Sequence, residues 1–306
     1  MNGGPPGARR QRNLARLELL AAGVCFGLMA VLARWLSLRR AGFTPGHLSV
    51  VRFGVGLAVS LVAFGLRPGL YRPRNWRLLV SRGVSGGLVV VLYFTALARI
   101  GVGEAGVIYN LFPAIATAMS LHAFGERPTL HLLAGLLAAT AGVALVLGEG
   151  TLSLGLGWGE AAALAAAVFA ATSANVIRAM RPTDNAPTIF FFFCLVGLPV
   201  VLPFALDPWP MQPVAWGVAV AMGLSAFAAQ VLMTQAYGAL TVSEAAIWLQ
   251  LTPIAQYLLG VALLGEPVTA VGLAGVLLAV VGVAWAMVLG RRPAAGPAEP
   301  APPASA

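Results

Sequence analysis

The 306-residue chain is 59% hydrophobic and only 9% charged, with a mean hydropathy of +0.87. Soluble domains carry about 25% charged residues, so most of this surface faces hydrocarbon rather than water. The formal charge of +9 comes from arginines in loops and at the ends of apolar runs, which excludes the continuous basic face that nucleic acid requires.

Taken in chain order, residues 1–16 are rich in Gly, Pro and Arg and are expected to form a disordered tail. Ten apolar runs of spanning length follow, at 17–36, 46–66, 76–97, 102–124, 130–148, 156–177, 187–206, 213–236, 242–264 and 270–290. Residues 291–306, rich in Pro and Ala, are expected to form a second disordered tail. All nineteen basic residues are Arg, so no lysine is present for a Walker-type phosphate loop or a Schiff base. Cys25 and Cys194 lie inside spans and offer neither zinc spacing nor a disulfide framework. His47, His122 and His131 are scattered near span ends, so no metal or cofactor is expected.

Arginine placement sets the orientation. With the amino terminus in the cytoplasm, thirteen arginines fall on inner segments and four, Arg34, Arg39, Arg40 and Arg99, on outer ones. Both termini are therefore expected in the cytoplasm, with the protein integral to a bacterial inner membrane and the lipid bilayer as its surroundings. A homodimer is allowed but has no sequence signal.

Residues 95–144 match residues 235–284 at a constant offset of 140. Glu104 aligns with Glu244, Ala105 with Ala245, Leu111 with Leu251 and Pro113 with Pro253. Gly125-Glu126 aligns with Gly265-Glu266, Thr129 with Thr269, and Gly135 and Gly142 with Gly275 and Gly282. The repeats are 17–149 and 150–290. A five-span unit holds an odd number of crossings, so the second copy starts from the opposite side and the halves are inverted. The expected fold class is an all-α integral membrane protein, ten transmembrane helices as two inverted five-helix repeats around a central cavity. Such repeats characterise secondary transporters working by alternating access.

The run E-A-x(7)-P, then an apolar stretch, G-E and a Gly-rich span, occurs in both halves. This doubled pattern resembles the EamA-type branch of the drug/metabolite transporter superfamily, over about residues 17–290. The resemblance implies a cavity lined by the third, fourth, eighth and ninth spans with parts of the first and sixth, and export or uptake of a small metabolite.

Several residues are candidates for that work. Pro113 and Pro253 lie near mid-membrane and predict kinks, either as plain packing or as hinges. Asn110 and Gln250, one turn earlier, need partners in hydrocarbon and serve either as glue between helices or as substrate contacts. Thr117 shares the Asn110 face, and Tyr257 shares the Gln250 face. Gln230, Thr234 and Tyr237 form a polar stripe on the eighth span. Tyr93, Ser173 and Asn175 add polar groups from the third and sixth. Trp248 sits mid-span and faces either lipid or cavity.

Glu104 and Glu244 each open a helix, where the dipole favours a carboxylate; the alternative is a gating or proton-coupling role. Ser243 is expected to cap the ninth span. Glu126 and Glu266 read as loop chemistry. The four repeat glycines read as close helix packing. Arg52 and Arg82 lie about a turn and a half inside their spans and either snorkel or, for Arg82, meet a substrate carboxylate.

The leading expectation is a secondary active carrier, not an enzyme, moving a small amphiphilic metabolite. An amino acid or derivative fits best, with export favoured and proton coupling allowed. Uptake of a nucleotide-like or vitamin cofactor is the alternative. A membrane-embedded lipid or prenyl transferase is disfavoured, because the ten acidic residues form no cluster.

Overall fold

The structure is a computed structural model that describes residues 6–39, 41–100, 102–125, 128–148, 157–265 and 267–289. Among these residues twelve α-helices form, the first half holding α1 (Pro6–Leu38), α2 (Pro45–Leu66), α3 (Trp76–Ile100), α4 (Val102–Tyr109), α5 (Phe112–Phe124) and α6 (Leu130–Gly148). The second half holds α7 (Trp158–Met180), α8 (Ala186–Val201), α9 (Pro213–Ala236), α10 (Val242–Leu249), α11 (Leu251–Leu264) and α12 (Ala270–Leu289). Two pairs, α4 with α5 and α10 with α11, each make one broken span, leaving ten apolar segments among the described residues long enough to cross a membrane. The end of the bundle where α1 begins is called the terminal face below, and the opposite end the distal face.

Local chemistry fixes many helix ends. Thr44 caps α2 by accepting from His47 N at 3.3 Å, while His47 Nδ1 accepts from Thr44 N at 3.2 Å, and Pro45 opens the helix. Asn185 caps α8 through Thr188 N at 3.0 Å. Gly125 and Gly265, with φ of 63° and 69°, end α5 and α11 in the left-handed conformation that a side chain would strain.

Two sequence expectations change at this level. Residues 6–16 are not a loose tail: from Pro6 they are the opening turns of α1. Arginines are good helix formers, and Arg12 and Arg16, one turn apart, are held by an acid from another helix, as described below. The cap of α10 is Thr241, which accepts from Glu244 N at 3.1 Å, rather than Ser243, whose hydroxyl lies 3.4 Å from Ser120 Oγ on α5. Glu126 and Glu266 and the carboxy-terminal tail, 291–306, lie outside the described residues.

The helices pack in exchanged pairs. α1 lies on α9 as α7 lies on α3; α3 lies on α8 as α9 lies on α2; and α1 meets α11 as α7 meets α5. Replacing each helix by its equivalent in the other half converts one member of every pair into the other. The pair α6 and α12 maps onto itself. A Cβ on Gly135 would stand 2.4 Å from the Gly282 carbonyl, and one on Gly142 would stand 2.6 Å from that of Gly275. Since Gly135 is equivalent to Gly275 and Gly142 to Gly282, this reciprocal contact runs antiparallel, as a two-fold axis across the helices demands. Backbones so close admit no side chain, which is why glycine stands at all four positions.

Candidate functional site

Both broken spans give way at the same place. Pro113 and Pro253 have no N–H to donate to the carbonyls of Tyr109 and Leu249, four residues earlier. The chain tightens instead: Leu111 N bonds to Ile108 O at 3.1 Å and Gln250 N to Ile247 O at 3.3 Å, each a three-residue step. Asn110 and Gln250 therefore occupy the discontinuities themselves, both buried. Sequence symmetry does not extend to their partners. Gln250 Nε2 donates to Thr140 Oγ1 on α6 at 2.7 Å, leaving Oε1 unpaired. The equivalent of Thr140 is Val280, which has no hydroxyl, and the Asn110 carboxamide makes no hydrogen bond to a described residue.

A second polar locus lies between α3, α7 and α8. Arg82, 4% exposed, reaches across the bundle rather than toward an interface. Its Nη1 donates to Ser173 Oγ at 3.2 Å, and Ser173 shares a 2.8 Å contact with Ser85. The guanidinium carbon stands 4.0 Å above the Phe193 ring, in a notch that a Cβ on Gly86 would fill. Its Nε is buried without a partner. Tyr93, eleven residues farther along the same helix face, has its ring tilted against that of Tyr109 at 4.8 Å between centroids, and Tyr109 is tilted against Phe112 at 5.4 Å. Tyr109, the last residue of α4, was not among the sequence candidates; its position directly before Asn110 is the signal that could have found it.

Other candidates fall into structural roles. Thr117 donates to Pro113 O at 2.9 Å and Thr234 to Gln230 O at 2.7 Å, each within its own helix. Asn175 Nδ2 bonds to Ala116 O on α5 and Ala171 O on its own helix, with Oδ1 unpaired, so it ties α7 to α5. The buried Gln230 side chain has no hydrogen bond to a described residue. Tyr237 is buried in the main core and its carbonyl accepts from Arg178 Nη1 at 3.0 Å. Trp248 is half-buried against two core clusters, with Nε1 unpaired. Tyr257 sits toward the distal end of α11, where its hydroxyl accepts from Thr269 N at 3.3 Å. It fastens a turn rather than facing the breaks.

The two faces are built differently. On the terminal face Glu244, buried, accepts from Arg12 Nη2 at 2.7 Å and from Arg16 Nε at 3.0 Å, joining α10 to α1. Asp184, before α8, accepts from Arg74 N at 2.7 Å and Asn75 N at 3.3 Å, before α3. Beneath them α5 packs on α10. The exchanged pair near the distal face, α4 and α11, makes at most marginal contact. A cavity of about 360 Å³ opens elsewhere on the distal face, between the start of α2, the end of α3 and the segment after α8, lined by Thr44, Pro45, Val91, Thr95, Phe204 and Asp207 among others. The Glu104 side chain lies outside the described residues.

Ten spanning helices in two equivalent sets, meeting at paired broken helices, are the build of a membrane transporter. The EamA-like transporter family matches residues 14–148 and 157–288, one match to each half, and the chain belongs to that family. It is similar to the pseudopaline exporter CntI of Pseudomonas aeruginosa, 27% identical over 231 residues that make up 72% of this chain and 80% of the relative; CntI of a second strain of that species matches to the same degree. A crystal structure of a protein 24% identical to this one has a TM-score of 0.79, covering 91% of this chain and 97% of its own, which shows a shared fold.

Proposed function

We propose that this chain is a secondary active exporter that moves a small amphiphilic metabolite, an amino acid or derivative, across the bacterial inner membrane by alternating access. The observation that carries this reading is the pair of equivalent discontinuities, Asn110–Pro113 and Gln250–Pro253, packed together on one side and apart on the other. The reciprocal glycine crossing of α6 and α12 supports an inverted relation between halves. Arginine placement supports the terminal face, and with it both termini, as cytoplasmic. The structure then corresponds to a carrier closed toward the cytoplasm.

In this mechanism the prolines are hinges, because each removes the hydrogen bond that would hold its span straight. The cluster of Arg12, Arg16 and Glu244 is the cytoplasmic gate: it crosses from the first half to the second and must part for a substrate to enter. Glu104, its repeat equivalent on the other side, is the counterpart gate. Export rather than uptake is favoured by the similarity to a named exporter. Asn110 offers donor and acceptor atoms unspent on any described residue, while Tyr93, Tyr109 and Phe112 supply rings for an apolar portion.

The test is a comparison of intracellular and medium metabolite pools between deletion cells and cells overproducing the protein. A small metabolite that accumulates in the medium with the wild type, and far less with Asn110→Leu at equal membrane abundance, is the expected result. No pool that responds to the wild type would sink the exporter reading.

A further inference from the structure

Arg52 and Arg82 each lie about a turn and a half inside a span, and neither has a carboxylate partner among the described residues. Arg82 is buried, with one hydroxyl and one aromatic face for company and Nε unmet. Arg52, on α2, is half-buried and makes no hydrogen bond or ion pair with a described residue. One turn along its helix, Gly56 leaves a notch against Phe190 and the Cys194 thiol of α8. Phe193, which carries the Arg82 guanidinium, is the neighbouring residue of α8. The two arginines are within electrostatic reach of each other, and both are within reach of Tyr109 at the break of the fourth span.

Like charges withdrawn from water repel, and each guanidinium has five donors to satisfy. Serine and a ring face meet only part of that demand for Arg82, and Arg52 has not even these. Among the described residues the locus is therefore short of negative charge and of acceptors by the equivalent of two carboxylates. It also sits where a substrate would pass: Tyr93 and Tyr109 present hydroxyls with no hydrogen bond to a described residue, and α5 begins three residues after Tyr109, directing the positive end of its dipole at the break. A planar guanidinium matches a carboxylate by two parallel hydrogen bonds, so two of them select for number and spacing of carboxylates as well as for charge.

We infer that Arg52 and Arg82 together form an anion site, and that the substrate is a small dicarboxylate, an amino-acid derivative carrying at least two carboxylates with an apolar portion packed on Tyr93 and Tyr109. This rests on the exporter reading and narrows it. The charges that the protein leaves uncompensated are those that the substrate brings, and loading neutralises the centre.

The experiment extends the pool comparison to Arg52→Gln, Arg82→Gln and Arg52→Lys, each checked for membrane abundance and for a monodisperse profile in detergent. Compounds exported by the wild type are expected to carry two or more carboxylates. Arg52→Gln should reduce their efflux by about tenfold or more, the loss typical of a charge-assisted pair, with partial recovery in Arg52→Lys. Arg82 is deeper and its variant can fail to accumulate, so the half-buried Arg52 decides. Export only of compounds with fewer than two carboxylates, or wild-type efflux of dicarboxylates by Arg52→Gln, overturns the inference and leaves the transporter standing. No wild-type efflux of any compound overturns both.

Discussion

The terminal and distal ends of the two broken spans are built from equivalent sequence and yet are not equivalent in space. On the terminal side α5 packs on α10, Ser120 approaches Ser243, and Glu244 holds two arginines of α1. On the distal side α4 and α11 stand apart. An exact two-fold would make the two contacts alike. On the alternating-access reading proposed above, the departure from symmetry is one conformation of two, the other having α4 on α11 and α5 off α10. That reading puts motion at the breaks and rigidity at the α6–α12 crossing.

Each part of that comparison can be broken. The largest effect is expected from Gly142→Leu, because even a Cβ there would stand 2.4 Å from Ala279 N and 2.6 Å from Gly275 O. Overpacking at such a contact costs about 3 kcal/mol or more, so the variant should lose its folded, monodisperse state in detergent chromatography. A well-folded Gly142→Leu would show that the crossing is not the rigid pair.

Next comes Glu244→Gln, which leaves two guanidiniums facing a neutral amide. Removing one partner of a largely buried ion pair costs about 3 kcal/mol, reduced here because Arg12 is solvent-exposed. The terminal face should then open more often. A cysteine at Ser120, in a background without Cys25 and Cys194, should react with an impermeant maleimide from the terminal side several-fold faster in Glu244→Gln. Equal labelling rates would remove the gate.

A smaller and more discriminating pair tests the breaks. Asn110→Leu and Gln250→Leu should both impair flux, but for different reasons. Gln250 is anchored to Thr140, so Thr140→Val should lower thermal stability by about 1 kcal/mol, the worth of one hydrogen bond, in a melting assay. Asn110→Leu should lower flux with little change in melting. The opposite assignment, a melting loss at Asn110 and none at Thr140, would reverse the roles given to the two amides. The smallest effect is expected at Arg12, whose side chain is 54% exposed: Arg12→Gln should shift stability by less than about 1 kcal/mol, and less still in high salt.

Much of the fold was legible because membrane spans announce themselves by length, apolarity and the Pro and Gly that end them. The breaks at Asn110 and Gln250 followed from Pro113 and Pro253, since the missing N–H acts locally whatever surrounds it. The glycine contact followed from spacing within one helix. What sequence could not give was partnership between distant elements. Arg12 and Arg16 read as loose tail because the acid that orders them is over two hundred residues away. Arg52 and Arg82 read as two separate residues, each snorkelling or, for Arg82 alone, meeting a substrate carboxylate, because nothing local says that α2 and α3 both face α8. Thr140 and Tyr109 passed unnoticed, one as an ordinary small polar residue in an apolar helix, the other hidden beside the more conspicuous Asn110.

Thr140 and Val280 carry a further consequence. If the halves were identical, the two end conformations would be each other's image and would have equal free energy, with an equilibrium constant of one. Every mismatch between equivalent positions is then a weight on one side of that balance. The Thr140–Gln250 bond between the halves has no counterpart between Val280 and Asn110, and about 1.4 kcal/mol of such difference shifts the populations tenfold. Duplication supplies a protein with a built-in zero of energy, and the positions where the copies have diverged are where its resting state is set.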